Sequence, residues 1–107
     1  MLIGENINYK NKTLNSLINR YRLEKNIILL EEEKNIQLVM NALDLHVLSS
    51  KSEAFPMVIL EAMACGTPCI ATNVGDIKKL IFEKNFIVES SNQFQLFAAM
   101  KNYSNLD

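Results

Sequence analysis

Two glutamates eight positions apart are the residues of this sequence best suited to hold a polar ligand. Glu53 lies in a polar segment, and Glu61 follows inside an apolar run, between Leu60 and Ala62 on the helix face expected to lie next to the sheet. A carboxylate in such a run is costly to bury unless something binds it, and the hydroxyl groups of a sugar are suitable partners. The spacing therefore indicates a site in which two carboxylates accept hydrogen bonds from hydroxyl groups.

A predicted helix start lies between the two glutamates and adds a place for an anion. Pro56 suits the first turn of a helix, because its missing N–H would be unpaired there in any case. The N–H groups of Met57, Val58 and Ile59 are then free donors at the positive end of the helix. A carboxylate, an anion site and a second carboxylate match the hexose, diphosphate and ribose of a nucleotide diphosphate sugar.

Short apolar runs alternate with helical patterns along the whole chain. The predicted strands cover residues 1–4, 26–30, 45–48, 68–72 and 85–88, and the predicted helices cover 11–23, 33–42, 56–64, 76–82 and 92–103. Asn11 or Thr13 can cap the first helix, and Gly66 is placed to end the third. Strands that are apolar throughout are typical of a parallel sheet covered on both faces. The sequence therefore predicts an α/β fold, a Rossmann-like doubly wound parallel sheet with flanking helices, which binds ligands beyond the carboxyl ends of its strands.

The segment of residues 49–76 carries a specific resemblance. It is similar to the E-x7-E motif of retaining GT-B glycosyltransferases of the family four or group 1 type, whose pattern is close to P-S-x-x-E-G-F-P-x-x-x-L-E-A-M-A-x-G-x-P-V-V-A-T-x-x-G-G. The positions that match are Ser50, Glu53, Phe55, Pro56, Leu60, Glu61, Ala62, Met63, Ala64, Gly66, Pro68, Ala71, Thr72 and Gly75.

The resemblance implies roles for the residues around the first glutamate. Glu53 contacts the hydroxyl groups of the donor hexose and is the candidate catalytic residue, while the backbone amides of Ala54 and Phe55 help to hold the sugar. The family is usually described as acting by front-face displacement, in which the leaving phosphate assists. Glu53 therefore need not be a nucleophile.

The resemblance also implies how the rest of the donor is held. The amides of Val58, Ile59 and Leu60 bind the diphosphate, and Glu61 binds the ribose hydroxyls. The loop after Leu30 packs on the base, with UDP as the first nucleotide expected. No metal and no cofactor are implied, because helix N-termini and basic residues stabilise the diphosphate instead.

The departures from the family's usual residues include four that we consider individually. Ala54 replaces a common glycine, which keeps the amide but causes strain if the site needs a positive φ. Glu31 stands where a glycine often closes the preceding strand, Asp76 replaces the second glycine of the final pair, and Lys79 stands where an acidic residue is usual. None of these changes touches the paired glutamates.

The resemblance covers only part of a two-domain enzyme. In the family, the donor domain begins with an earlier strand and helix whose loop carries an arginine and a lysine for the diphosphate. We expect residues 1–107 to be a partial C-terminal donor domain, without that first unit and without the N-terminal acceptor domain. The missing strand is central, between those predicted at 1–4 and 45–48, so we expect the fragment to be inactive and to self-associate or rearrange its strands.

The activity implied is transfer of a hexose from a nucleotide diphosphate sugar to a saccharide or lipid-linked acceptor. Bacterial surface polysaccharide, capsule or lipopolysaccharide synthesis is the commonest role of the family. One alternative is a non-catalytic nucleotide-sugar-binding or fold-only fragment, and another is a GT-B phosphorylase or sugar-phosphate synthase. A different Rossmann-type enzyme requires a G-x-G-x-x-G turn after the first strand, which the residues following Gly4 do not supply.

Charge and hydropathy limit the other partners. The net charge of −1 provides no basic excess for binding nucleic acid. The sequence shows neither an export signal nor an apolar run long enough to span a membrane. We therefore expect a cytoplasmic location, and the resemblance implies peripheral association of the full-length protein with the inner face of the membrane.

The remaining polar and thiol-bearing residues are expected to be structural or solvated. Cys65 and Cys69 are predicted to be buried thiols, and His46 a structural side chain. We expect Ser49 and Ser50 to form turns. The solvated charges are predicted at Lys51, Glu31, Glu32 and Glu33. The three consecutive glutamates are also expected to help start a helix, because carboxylates favour a helix N-terminus.

Overall fold

In the computed structural model, residues 1–106 are described, with the side chain of Asn85 left out. The elements in chain order are β1 (Leu2–Ile3), α1 (Lys12–Arg20), β2 (Leu29–Leu30), α2 (Ile36–Asn41), β3 (His46–Leu48), α3 (Met57–Ala64), β4 (Cys69–Thr72), α4 (Ile77–Leu80), a 3-10 turn (Lys84–Phe86), β5 (Ile87–Val88) and α5 (Gln93–Ser104). The strict alternation of strand and helix confirms the predicted α/β class. The chain divides into an N-terminal unit, Met1–Ile36, and a C-terminal unit that begins at Gln37.

The N-terminal unit is a short strand–helix–strand motif in which β1 pairs with β2 in parallel. The side-chain oxygen of Asn11 accepts a hydrogen bond from the N–H of Leu14 at 3.0 Å. This bond satisfies one of the unpaired donors at the start of α1. Asn11, and not Thr13, is therefore the cap. Among the described residues of this unit, Ile18 alone is buried.

The C-terminal end of α1 is closed by a residue in the left-handed conformation. Arg22 has a φ of 54°, and its N–H donates to the carbonyl of Asn19 at 3.1 Å. The N–H of Leu23 donates to the carbonyl of Ile18 at 3.0 Å. These two bonds form a Schellman motif with a non-glycine residue at its left-handed position. The motif ends α1 before the predicted limit at residue 23.

The C-terminal unit contains a parallel sheet with the order β3-β4-β5. The central strand, β4, is buried along its whole length, and α3 and α5 both contact it. Leu48 of β3 lies opposite Ala71 of β4, so the carboxyl ends of these two strands meet at the same edge. The hydroxyl of Tyr103 in α5 donates to the carbonyl of Asp44 at 2.9 Å, which fastens α5 beside the start of β3.

The end of α3 has the geometry predicted for Gly66. This residue has a φ of 74°, and its N–H donates to the carbonyl of Met63 at 2.9 Å. The N–H of Thr67 reaches back to the carbonyl of Ala62, also at 2.9 Å. Gly66 therefore terminates α3 in a second Schellman motif, here with the residue type that adopts a positive φ at the lowest steric cost.

The described strands form two parallel sheets, β1-β2 and β3-β4-β5, where one doubly wound sheet was expected. Helix boundaries differ as well. The second helix begins at Ile36 and not at residue 33, because the carboxylate of Glu33 accepts a hydrogen bond from the N–H of Asn35 at 3.1 Å in a non-helical turn. The three glutamates are exposed but lie outside the first turn, so the prediction that they start the helix is wrong.

Further differences lie between β4 and α5. The helix α4 ends at Leu80, where residue 82 was expected, because Ile81 has an extended backbone. The 3-10 turn occupies the position at which the last strand was predicted to begin. None of the helices within residues 1–106 has the length and apolarity that a membrane span requires.

The two cysteines are free thiols in different environments. Cys69 is buried in β4, and burial raises its pKa to about 11. Cys65, the last residue before Gly66, is only half-buried. The prediction of two buried thiols is therefore correct for Cys69 and wrong for Cys65, because a helix C-cap remains accessible where a central strand is covered.

Candidate functional site

The first predicted site residue, Glu53, lies in the loop of residues 49–56 between β3 and α3. Its side chain is half-buried, and its Oε1 atom accepts a hydrogen bond from the hydroxyl of Ser50 at 2.8 Å. This bond orients the carboxylate and leaves it further acceptor capacity. Ser50 was predicted only as a turn former. The Ser-x-x-Glu spacing is that of a helix capping box, but there both side chains bond to backbone N–H groups, so the spacing did not predict this contact between two side chains.

Ala54 and Phe55 follow Glu53 and are both exposed. The described non-glycine residues with positive φ do not include Ala54, so alanine replaces the family glycine there without left-handed strain. Within residues 1–106, the backbone N–H groups of Ala54 and Phe55 donate no hydrogen bond to another protein group. The structure thus places two unpaired donors directly after the oriented carboxylate.

The start of α3 differs from the prediction. Pro56 is the N-cap, one position before the first helical residue. The N–H of Met57 donates to the carbonyl of Phe55 at 3.0 Å, and the N–H of Ile59 donates to the carbonyl of Pro56 at 3.1 Å. The prediction of three free donors is therefore wrong for Met57 and Ile59, because the first turn closes with short-range bonds.

The amide of Val58 remains available at the start of α3. The N–H of Val58 donates no hydrogen bond within the described part of the chain. Leu60, the third residue expected at the diphosphate, has a half-buried side chain one residue past Ile59. The helix start can therefore offer Val58 as its main donor to an anion.

The second glutamate, Glu61, lies one turn into α3 on its solvent side. The helix buries Ile59 and Ala62 completely, whereas Glu61 and Met57, four residues apart, are exposed. The expectation that Glu61 lies in a buried apolar setting is wrong, because the helix turns its apolar residues toward the sheet and this position away from it. An exposed carboxylate carries no burial penalty and is accessible to a ligand.

The connection between β4 and α4 meets the loop of residues 49–56. The Thr72 hydroxyl donates to the carbonyl of Ser50 at 2.6 Å, and the Asp76 N–H donates to the carbonyl of Ala54 at 3.3 Å. A Cβ atom placed on Gly75, whose φ is 53°, would lie 2.2 Å from the carbonyl oxygen of Glu53. These contacts join positions more than twenty residues apart, and no short-range pattern announced them.

Two of the departures from the family pattern compensate each other. Lys79 Nζ lies 2.8 Å from Asp76 Oδ1, and the side chains are 75% and 40% exposed. An exposed pair of this kind contributes at most about 1 kcal/mol. Asp76 and Lys79 therefore form an ordinary surface ion pair at the start of α4.

Three other polar residues were singled out in the sequence. Lys51 is exposed, and Glu31, in the N-terminal unit, accepts a hydrogen bond from the side chain of Asn8. His46 lies in β3 with its Nδ1 atom buried and without a hydrogen-bond partner among the described residues, and burial lowers its pKa. Among residues 1–106, no group of three or more metal-ligating side chains converges.

Comparison with known proteins adds a family to this geometry. Residues 2–106 match the profile of the family described as "Glycosyl transferases group 1". The chain is 39% identical over 69 residues to the N-acetyl-alpha-D-glucosaminyl L-malate synthase of Bacillus anthracis, which is 64% of this chain and 18% of that protein.

Two further curated relatives are glycosyltransferases by name. The chain is 35% identical over 69 residues to the UDP-Gal:alpha-D-GlcNAc-diphosphoundecaprenol alpha-1,3-galactosyltransferase of Escherichia coli, covering 63% of this chain and 18% of that protein. It is 52% identical over 40 residues to a D-inositol 3-phosphate glycosyltransferase of Arthrobacter sp., covering 37% of this chain and 10% of that protein. The chain therefore spans less than a fifth of the length of these relatives.

Proposed function

Because this chain belongs to the group 1 glycosyltransferase family, we propose that it forms the donor-binding part of a retaining hexosyltransferase. The observation that carries the proposal is the loop after β3. It holds the Glu53 carboxylate in a hydrogen bond from Ser50 and follows it with the unpaired amides of Ala54 and Phe55. A carboxylate acceptor beside two amide donors suits the hydroxyl groups of a hexose, because each hydroxyl can both donate and accept a hydrogen bond.

The sugar end of the site works by positioning. The Glu53 carboxylate accepts hydrogen bonds from hexose hydroxyls, and charge-assisted bonds of this type are stronger than neutral ones. The amides of Ala54 and Phe55 donate to sugar oxygens from the other side of the same segment. Held in this way, the hexose presents its anomeric carbon to an acceptor on the face that the leaving phosphate occupies, and the phosphate assists the displacement.

The diphosphate and ribose lie along the start of α3 in this proposal. The Val58 N–H and the positive end of the helix favour the diphosphate, with Ile59 and Leu60 completing the turn behind it. The exposed Glu61 carboxylate accepts hydrogen bonds from the ribose hydroxyls. The site as proposed uses backbone donors, with neither a metal ion nor a further cofactor.

Transfer itself is proposed for the complete enzyme. The name of the Escherichia coli relative specifies a UDP-linked donor and a diphosphoundecaprenol-linked acceptor, which supports UDP as the first nucleotide to test and a lipid-linked or saccharide acceptor. With such an acceptor, the location that we propose for the enzyme is the cytoplasmic face of a membrane. Bacterial surface polysaccharide, capsule or lipopolysaccharide synthesis is the setting proposed, and self-association of the chain through open strand edges belongs to the same proposal.

The decisive experiment is a titration of the chain with UDP, GDP, ADP and their hexose conjugates, by calorimetry or ligand-detected NMR. We expect saturable binding of one nucleotide. The Glu61→Ala variant should lose it, while Glu83→Ala, which removes another exposed carboxylate of the same unit, should keep it. Absence of binding by every nucleotide would refute the donor site in this chain and favour a fold-only fragment, and equal loss in both variants would refute the role of Glu61.

A further inference from the structure

The segment that leads from β4 into α4 touches the sugar-binding loop at three backbone points. We name the loop of residues 49–56 the donor loop, and Thr72, Gly75 and Asp76 the β4 clamp. We propose that the β4 clamp, with Thr72 as its principal positioning residue, holds the amides of Ala54 and Phe55 toward the donor sugar. The inference rests on the proposed function, because it concerns the same site.

Thr72 makes the shortest contact between the β4 clamp and the donor loop. The side chain is 4% exposed, and its hydroxyl donates to the carbonyl of Ser50 at 2.6 Å. The carbonyl of Leu48 lies farther away, at 3.4 Å, so Ser50 is the main acceptor. Because the Ser50 side chain donates to Glu53, one buried hydroxyl fixes the residue that orients the carboxylate.

Gly75 and Asp76 fix the next two peptide groups. The carbonyl of Glu53 faces Gly75 so closely that a Cβ atom there would lie 2.2 Å away, and the carbonyl of Ala54 accepts the N–H of Asp76 at 3.3 Å. The carbonyls of Glu53 and Ala54 are thus both directed at the β4 clamp.

The direction of these carbonyls determines the direction of the amides. Within residues 1–106 no peptide bond is cis, and the C=O and N–H of a trans peptide group point to opposite sides. The carbonyl of Glu53 shares its peptide group with the N–H of Ala54, and the carbonyl of Ala54 shares its group with the N–H of Phe55. Holding the two carbonyls against the β4 clamp therefore turns both amides away from it, where they remain unpaired and available.

The test compares two buried threonines of the same unit. Thr72→Val removes the hydroxyl at nearly constant shape, Thr72→Ser retains it, and Thr67→Val is the matched control. Thr67 is 5% exposed, and its hydroxyl donates to the carbonyl of Met40 at 2.7 Å, away from the donor loop. Both valine variants should lose similar global stability, so any difference between them reports on the donor loop.

The first measurement is the 15N relaxation of backbone amides, which needs no ligand. We expect the order parameters of Glu53, Ala54 and Phe55 to fall in Thr72→Val, to recover in Thr72→Ser and to stay unchanged in Thr67→Val. Unchanged values in Thr72→Val, or an equal fall in Thr67→Val, would overturn the proposal. This arm stands even where no nucleotide binds, which is the outcome that defeats the donor site itself.

The second measurement is the ratio of the affinities for the nucleotide diphosphate sugar and the free nucleotide diphosphate. The clamp acts at the sugar end, so Thr72→Val should lower this ratio by about fivefold, the equivalent of one hydrogen bond of net strength near 1 kcal/mol. Thr72→Ser should restore the ratio. A parallel loss of both affinities in Thr72→Val, with the ratio kept, would show a general structural effect and would contradict a positioning role.

Discussion

The two units of the chain use the same local devices but bury very different amounts of apolar surface. Each has parallel strands and a helix closed by a Schellman motif. In the N-terminal unit, Ile18 alone is buried among the described residues. The C-terminal unit buries a larger apolar set: Val39, Met40, Ile59, Ala62, Cys69, Ile70, Ala71, Ile77, Ile81, Val88 and Ala99.

This difference bears on how rigid the proposed site is expected to be. Apolar burial is the main favourable term in folding, and segments with few buried contacts open first in local unfolding. The donor loop is attached at three points to the β4 side of the better-buried unit. A site whose loop is held by a buried strand needs less ordering when its ligand binds.

The largest expected effect is a loss of folding stability when a buried side chain is truncated. We compare one isoleucine-to-alanine substitution in each unit. Ile70 is fully buried in β4, so Ile70→Ala should lower the free energy of unfolding by about 2–5 kcal/mol. Ile28 in the N-terminal unit is 57% exposed, and Ile28→Ala should change that free energy by less than about 0.5 kcal/mol. Urea unfolding followed by circular dichroism measures both, and equal losses would contradict the comparison.

The next-largest effect distinguishes the steric clash of an added Cβ atom from backbone strain at two glycines of the C-terminal unit. Gly66 and Gly75 both have positive φ, so alanine is strained at either position. A Cβ atom at Gly66 meets nothing within 4 Å, whereas at Gly75 it meets two backbone carbonyls. Gly75→Ala should therefore cost about 1–3 kcal/mol more than Gly66→Ala, because overpacking adds to the strain.

The same pair of variants also reports on the donor loop. Gly75→Ala should shift the amide NMR signals of Glu53, Ala54 and Phe55, since the added Cβ atom displaces their carbonyls. Gly66→Ala should leave these signals in place. If the two variants give the same stability and the same spectra around residue 54, the close approach at Gly75 has no structural weight.

The sequence predicted the elements well because they depend on local patterns. Apolar runs located all five described strands, and Asn11 and Gly66 correctly marked a helix start and a helix end. One boundary failed because a side chain competed with the helix for a backbone donor. At the start of α2, Glu33 bonds the N–H of Asn35, and such competition depends on a local geometry that periodicity does not encode.

The site was predictable only in part, for a similar reason. The spacing of Glu53 and Glu61 singled out the segment, but the exposure of Glu61 depended on which face of α3 meets the sheet. Thr72 and Gly75 matched the family pattern without an assigned role, since their contacts with the donor loop join distant positions. Long-range backbone contacts follow from the packed sheet and leave no mark in short-range spacing.

A smaller effect concerns acid, and it is confined to the C-terminal unit, which holds the single histidine of the chain. Burial lowers the pKa of His46 below its unfolded value of about 6.5. As the pH falls through that value, His46 therefore becomes protonated in the unfolded chain while it stays neutral in the folded chain. Stability should be unaffected by this group above about pH 6.5 and should decrease below it, until the folded histidine also titrates.

The measurement for His46 is the urea midpoint at about pH 7.5 and about pH 5, in the original chain and in His46→Leu. We expect the midpoint to fall between the two pH values by less in His46→Leu, since leucine does not titrate. Identical pH dependence in the two proteins would show that the buried Nδ1 atom does not govern the acid response.

The smallest effect is expected from a substitution that gives α1 the same left-handed glycine that ends α3. Arg22 occupies the same left-handed position after α1 that Gly66 occupies after α3. A non-glycine side chain in the left-handed conformation costs the folded chain about 1–2 kcal/mol. Glycine avoids this cost, but its greater freedom in the unfolded chain offsets about 0.5–1 kcal/mol of the gain. Arg22→Gly should therefore stabilise the N-terminal unit by about 0.5 kcal/mol, measured as slower hydrogen exchange of the α1 amides. The stacking of Arg20 on Tyr21 remains in the variant, so a loss of protection would mean that the Arg22 side chain itself stabilises this helix end.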